Sequence, residues 1–115
     1  MKSRDRASLL DIAQAGELVL EFVAGMDDAE FSRDRKTQSA VLYQIAILGE
    51  AVKRLSPDFR QQYPDIPWTA MAGMRDKLIH DYEGVDIKRV WFTVQSSIPE
   101  LLNLIQPLLN TEDNQ

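Results

Sequence analysis

Apolar residues return along this chain at helical spacing in four separate stretches, and no segment shows the strict alternation of a half-buried strand. The first pattern passes through Leu9, Ile12, Ala13, Gly16, Leu20 and Val23. Ser8 and Asp11 are spaced as a capping box that either starts this helix or sits inside it. Met26-Asp27-Asp28 is the expected break. The second pattern, Val41, Ile45, Leu48, Val52 and Leu55, begins somewhere between Glu30 and Gln38 and ends where Ser56-Pro57 opens a turn or a short helix. After the loop DFRQQYPDIP, Pro67 suits the first turn of a third helix, because its fixed φ and missing N–H cost nothing there, and Gly84 is the natural stop. Asp86 is placed to cap the fourth pattern, Ile87, Val90, Trp91, Val94, Ile98, Leu101, Leu102, Ile105 and Leu108. Pro99 falls inside that pattern without shifting its register, which predicts one kinked helix, with a tail from about Pro107 that frays.

Helices joined by short connections predict an all-α fold, an antiparallel four-helix bundle with a kinked last helix. At 115 residues and 44% hydrophobic composition, the expectation is a single domain over residues 1–115 with one core. There is no cysteine, so disulfides, thiolate metal sites and cysteine nucleophiles are excluded. No apolar run is long enough to span a membrane, and Asp11, Gln14 and Glu17 arrive too early for a secretory signal, so the cytoplasm is the expected compartment. The net charge of −5 argues against gripping nucleic acid over the whole surface. Local basic sites remain: Arg33, Arg35 and Lys36 form one cluster along the sequence, and Arg75, Lys77, Lys88 and Arg89 another. Either cluster also reads as a solvated helix face.

The third helix carries the unusual chemistry. At about 100° per residue, Trp68, Met71, Arg75, Leu78 and Tyr82 share one stripe, so a guanidinium interrupts an apolar face. It must reach water, tie down a carboxylate or helix end, or stand at the mouth of a cleft, because an unpaired buried charge costs several kcal/mol. His80, the chain's only histidine, lies one turn beyond Asp76 and two beyond Gly73. Asp76 can therefore hold one ring nitrogen, while Gly73 leaves room for another backbone. A helix-end cap or a solvated imidazole is the plainer account. Tyr82 is either a ring packed on the bundle with its hydroxyl in water or a phenol exposed beside His80. A straight helix holds Arg75 and His80 about 140° apart, so a shared site requires unwinding near Asp81 or a two-fold dimer that presents each residue twice.

Arg75, four residues, His80, one residue and Tyr82 together resemble the RX4HXY motif of the HepT-like toxins, a branch of the HEPN superfamily of small helical proteins. The likeness extends in order and spacing to DRKTQSAVLYQIAILGEAVKRLS from Asp34, YPDIPWTAMAGMRDKLIHDYEGVD from Tyr63 and VWFTVQSSIPEL from Val90, and so covers most of the chain. One departure is Asp76, where such proteins often have asparagine.

The resemblance implies a metal-independent ribonuclease, the toxin of a two-gene toxin–antitoxin module, with Arg75 and His80 as the catalytic pair. RNA supplies its own nucleophile, the 2′-OH, so the enzyme needs a proton carrier and a cation. His80 would move the proton and Arg75 would hold the phosphate. Asp76 would orient His80 or, facing the RNA, repel it. Lys77, Lys88 and Arg89 are candidate RNA contacts, with tRNA one target class that the resemblance suggests. It also implies a homodimer and a partner, a minimal nucleotidyltransferase antitoxin that transfers AMP to Tyr82. ATP and Mg²⁺ belong to that partner, and this chain is expected to need no cofactor. Two rivals stand beside this: a non-catalytic HEPN-type binding module that docks a nucleotidyltransferase, and a metal-dependent helical hydrolase. The second is poorly matched by one histidine and no HExxH.

Overall fold

The computed structural model describes residues 1–80 and 84–110, with backbone alone for residues 78–80. Among the described residues there is no strand, and no helix is long and apolar enough to cross a membrane. The helices are α1 (Ser3–Phe22), α2 (Asp28–Arg33), α3 (Arg35–Arg54), α4 (Pro57–Gln62), α5 (Trp68–His80), α6 (Ile87–Phe92) and α7 (Ile98–Asn110), with a π-helical segment, Thr93–Ser97, between the last two.

α1 starts earlier than its apolar stripe, at Ser3, so the Ser8–Asp11 pair sits inside the helix and Ser8 is buried. The break after it is made by Gly25 at φ 79°, in the left-handed region that glycine enters without steric cost. Asp27 then begins α2, an element that periodicity does not reveal. In six residues there is no stripe, only the buried Phe31 and a reciprocal cap in which Glu30 N–H donates to Asp27 (2.8 Å) and Asp27 N–H to Glu30 (3.0 Å). Asp34 starts α3, accepting from the Thr37 N–H at 3.0 Å and the Thr37 hydroxyl at 2.7 Å. Those two bonds, the backbone one first, hold its carboxyl below the ordinary aspartate range. Ser56 caps α4, so the Ser56-Pro57 signal is a short helix and takes up the first half of the expected loop.

The last pattern is one helical path from Ile87 to Asn110, capped by Asp86, whose carboxylate accepts from the N–H groups of Lys88 and Arg89. Pro99 has no N–H for the carbonyl four residues back and its ring would collide with that carbonyl. The π turn at Thr93–Ser97 widens the helix just before it and absorbs the misfit. Pro107 lies within α7, whose end is held where Arg6 Nη1 donates to the Leu109 carbonyl at 3.1 Å.

α1 lies between α3 and α7. Arg54 pairs with Asp11 (3.2 Å) and Ser56 meets Asp5, so the end of α3 lies beside the start of α1, as it must if the two run antiparallel. Arg6 with Leu109 and Gly16 against Leu102 and Ile98 give α1 and α7 the same relation. α5 packs on α3. The core between them is aliphatic, with Leu9, Ile12, Ile45, Leu48, Leu101 and Ile105 almost fully buried; each such burial contributes roughly 1.5–3 kcal/mol. α2 closes one side through Phe31, whose ring lies 5.0 Å from that of Trp91.

One buried polar contact ties the start of α1 to the α3–α4 junction. Asp5, 3% exposed, accepts from the Ser56 N–H and from the Ser56 hydroxyl, both at 2.8 Å. Asp5→Ala strands the Ser56 N–H without an acceptor, and urea unfolding is expected to show a loss of about 1–3 kcal/mol with unchanged helicity. A loss within experimental error would mean that Ser56 finds another acceptor.

Candidate functional site

Trp68 and Met71, each 5% exposed, anchor the inner face of α5. The Trp68 ring also donates to the Tyr63 carbonyl at 3.1 Å and packs 6.1 Å from Phe59, which fixes how α5 leaves the preceding loop. One turn past Met71, the same stripe brings Arg75 onto α3 at Gly49. A Cβ built on Gly49 would stand 2.1 Å from the Cβ of Arg75 and 3.1 Å from the Met71 carbonyl oxygen. No side chain fits there, so only glycine lets the two helices approach this closely.

That approach determines what Arg75 can reach. Its side chain is 24% exposed; Nη2 lies 3.2 Å from Glu50 Oε2, and Nη1 donates to Asp76 Oδ1 at 3.1 Å. Asp76 Oδ1 also accepts from Lys53 Nζ. Lys53, then Arg75, holds the Asp76 carboxyl below the ordinary aspartate range. Glu50, Arg75, Asp76 and Lys53 thus form an alternating chain of charges across the α3–α5 contact. A guanidinium has five donors, and two carboxylates on its Nη atoms orient the fork while leaving it further donors for an incoming anion.

The four-cation sequence cluster is divided by the fold. Lys77 and Arg89 line one small cleft between α5 and α6, with Met74, Val85, Asp86 and Val90. Lys88 is exposed beside it, whereas Arg75 faces α3. Gly73 is exposed, with nothing of this chain within 4 Å of an added Cβ. The described partners of Asp76 are Lys53 and Arg75. The His80 side chain, all of Tyr82 and the stop expected just before Gly84 lie outside the described residues. Among the described residues no group of three or more histidine, cysteine, aspartate or glutamate side chains is placed to hold a metal ion.

Sequence reasoning passed over Gly49, Glu50 and Lys53. The available signal was a glycine inside an apolar helical pattern, which costs about 1 kcal/mol relative to alanine and so points to a packing reason.

The family model described as "Ribonuclease HepT-like" matches residues 12–108 of this chain. A Thermococcus cleftensis protein named "Probable ribonuclease HepT" is 45% identical over 94% of this chain and 98% of its own length. "Putative RNase MJ0127" of Methanocaldococcus jannaschii is 39% identical over 90% of this chain and 86% of its own. "Putative RNase TTE0752" of Caldanaerobacter subterraneus subsp. tengcongensis is 39% identical over 93% and 96% respectively. No solved structure shows a significant match.

Two outcomes follow from the α3–α5 contact. Gly49→Ala should force the helices apart, costing about 1–3 kcal/mol in urea unfolding and shifting the NMR signal of the Arg75 guanidinium. Wild-type stability and an unmoved signal would show that the contact is looser than described. Because the folded Asp76 pKa is depressed, its ion-pair contribution is complete above the unfolded aspartate value and disappears as pH falls through the folded one. A carbon-detected NMR titration should give Asp76 a midpoint below an ordinary aspartate, and Lys53→Met should raise it. A midpoint indifferent to Lys53 would remove the assigned cause.

Proposed function

Because the chain belongs to the ribonuclease HepT-like family, we propose that it is an endoribonuclease that cuts RNA without a metal ion, serving as the toxin of a toxin–antitoxin pair in the cytoplasm. The observation that carries this is Arg75: a half-buried guanidinium, oriented by Glu50 and Asp76, in a chain whose relatives are named as ribonucleases along nearly its full length.

The chemistry needs few parts. A base removes the proton of a ribose 2′-OH, the 2′-oxygen forms a bond to the adjacent phosphorus, and the P–O5′ bond breaks. The products are a 2′,3′-cyclic phosphate and a 5′-hydroxyl, which takes up a proton. His80 carries the proton, since an imidazole titrates near neutrality. Arg75 binds the phosphoryl oxygens, and its planar fork matches two of them as negative charge grows on the pentavalent phosphorus. In a homodimer two-fold symmetry presents both residues twice, which answers their angular separation on one helix. Lys77, Lys88 and Arg89 serve as further phosphate contacts.

Control comes from a minimal nucleotidyltransferase partner. The phenol oxygen of Tyr82 attacks the α-phosphorus of ATP and loses its proton, while pyrophosphate leaves, so that AMP is joined to the tyrosine. ATP and Mg²⁺ belong to the partner. Two residues from His80, the added bulk and negative charge oppose an incoming RNA phosphate.

The purified chain should cleave RNA in EDTA and leave cyclic phosphate ends, with His80→Ala about 10²–10⁴-fold slower at unchanged circular dichroism. RNA left whole by the wild type would favour a non-catalytic module that docks the nucleotidyltransferase. With that enzyme and ATP, intact mass should rise by AMP increments, and Tyr82→Phe should block them. Equal modification of the variant would move the acceptor elsewhere.

A further inference from the structure

A second basic site lies where neither sequence cluster suggested one. The start of α1, the end of α3 and the middle of α4 enclose a cleft of about 390 Å³, within the size range of small-ligand sites. Five cations line it, Lys2, Arg4, Lys53, Arg54 and Arg60, against one carboxylate, Asp5. In a chain with 18 acidic and 13 basic residues, a random stretch of surface would lean acidic; this one leans strongly the other way. Asp5 is already occupied by two hydrogen bonds from Ser56, which spread its charge over protein donors.

The cations differ in how far they are engaged. Lys53 and Arg54 pair with Asp76 and Asp11. Lys2 and Arg4 are exposed and form no ion pair among the described residues. Arg60 is half-buried at the edge of the cleft, and its Nε is buried with no hydrogen-bond acceptor among the described residues.

Lys53 also joins this cleft to the candidate catalytic arginine. It lines the cleft and bonds to Asp76, which bonds in turn to Arg75. Resting on the ribonuclease reading, we infer that this cleft is a phosphate subsite for the RNA strand, holding a backbone phosphate that flanks the one cut at Arg75. An extended polyanion satisfies both observations at once, a row of cations and their continuity with the cleavage site.

Fluorescence anisotropy of a labelled single-stranded RNA tests this, using the full chain with His80→Ala and comparing low with physiological salt. Adding Arg4→Glu with Arg60→Ala should weaken binding about tenfold at low salt. It should also flatten the dependence of log Kd on log salt by about 1.4, since each lost single-strand contact contributes about 0.7. Arg4→Glu alone, at an exposed position, should show the same trend at wild-type Tm, which guards against a folding defect from Arg60. Arg33→Glu with Lys36→Ala makes the same change in net charge elsewhere and should show neither effect. Equal losses in that control, or an unchanged salt slope in the cleft variants, would overturn the subsite and leave the cleft to an acidic protein partner. RNA cleavage by the wild type separates the two readings: cleavage with an unchanged slope sinks the cleft alone, whereas a wild type that neither binds nor cuts RNA sinks both.

Discussion

The tight approach of α5 to α3 at Gly49 is the constraint on which the candidate site rests. Without a side chain at that position the Arg75 Cβ can sit where a Cβ of residue 49 would otherwise be. The guanidinium is then delivered into the seam between the helices, within reach of Glu50 and Asp76. An arginine on a more widely spaced pair would extend to water and lose rotamer freedom only on meeting a ligand. Held as it is, much of that ordering cost has been met in folding, which is the physical meaning of preorganisation.

Charge is distributed by a similar logic. The molecule is acidic as a whole, which disfavours indiscriminate binding to nucleic acid. Its cations gather locally, in the cleft of Lys2, Arg4, Lys53, Arg54 and Arg60 and in the smaller one shared by Lys77 and Arg89. On the ribonuclease reading, such a surface would favour phosphates that are correctly placed over polyanions in general. On the same reading, the carboxylates beside Arg75 hold its two Nη atoms in place and leave the remaining donors to a phosphate.

Much of the helical scaffold was legible beforehand. The apolar residues of α1, α3 and α6–α7 recur at a period only a helix can bury, and Asp86 and Pro67 mark starts by simple hydrogen-bond accounting. α2 was not legible, because six residues carry no periodicity and Phe31 is their single buried anchor. The accommodation at Pro99 was anticipated as a kink; the π turn just before it, in which Thr93 and Val94 are buried, was not.

The longer helices, the odd arginine on an apolar stripe and the spacing of Arg75, His80 and Tyr82 can all be read from the chain, because these are properties of residues close together along it. Only the tertiary structure decided that Arg75 meets Glu50, that Lys53 reaches Asp76, and that Lys2, Arg4 and Arg60 face one cleft. The segments brought together in each case lie more than twenty positions apart, and local periodicity carries no information about which helix faces will meet. Their meeting is set by the volume that Gly49 leaves empty and by the buried Asp5–Ser56 pair, which brings the start of α1 to the end of α3.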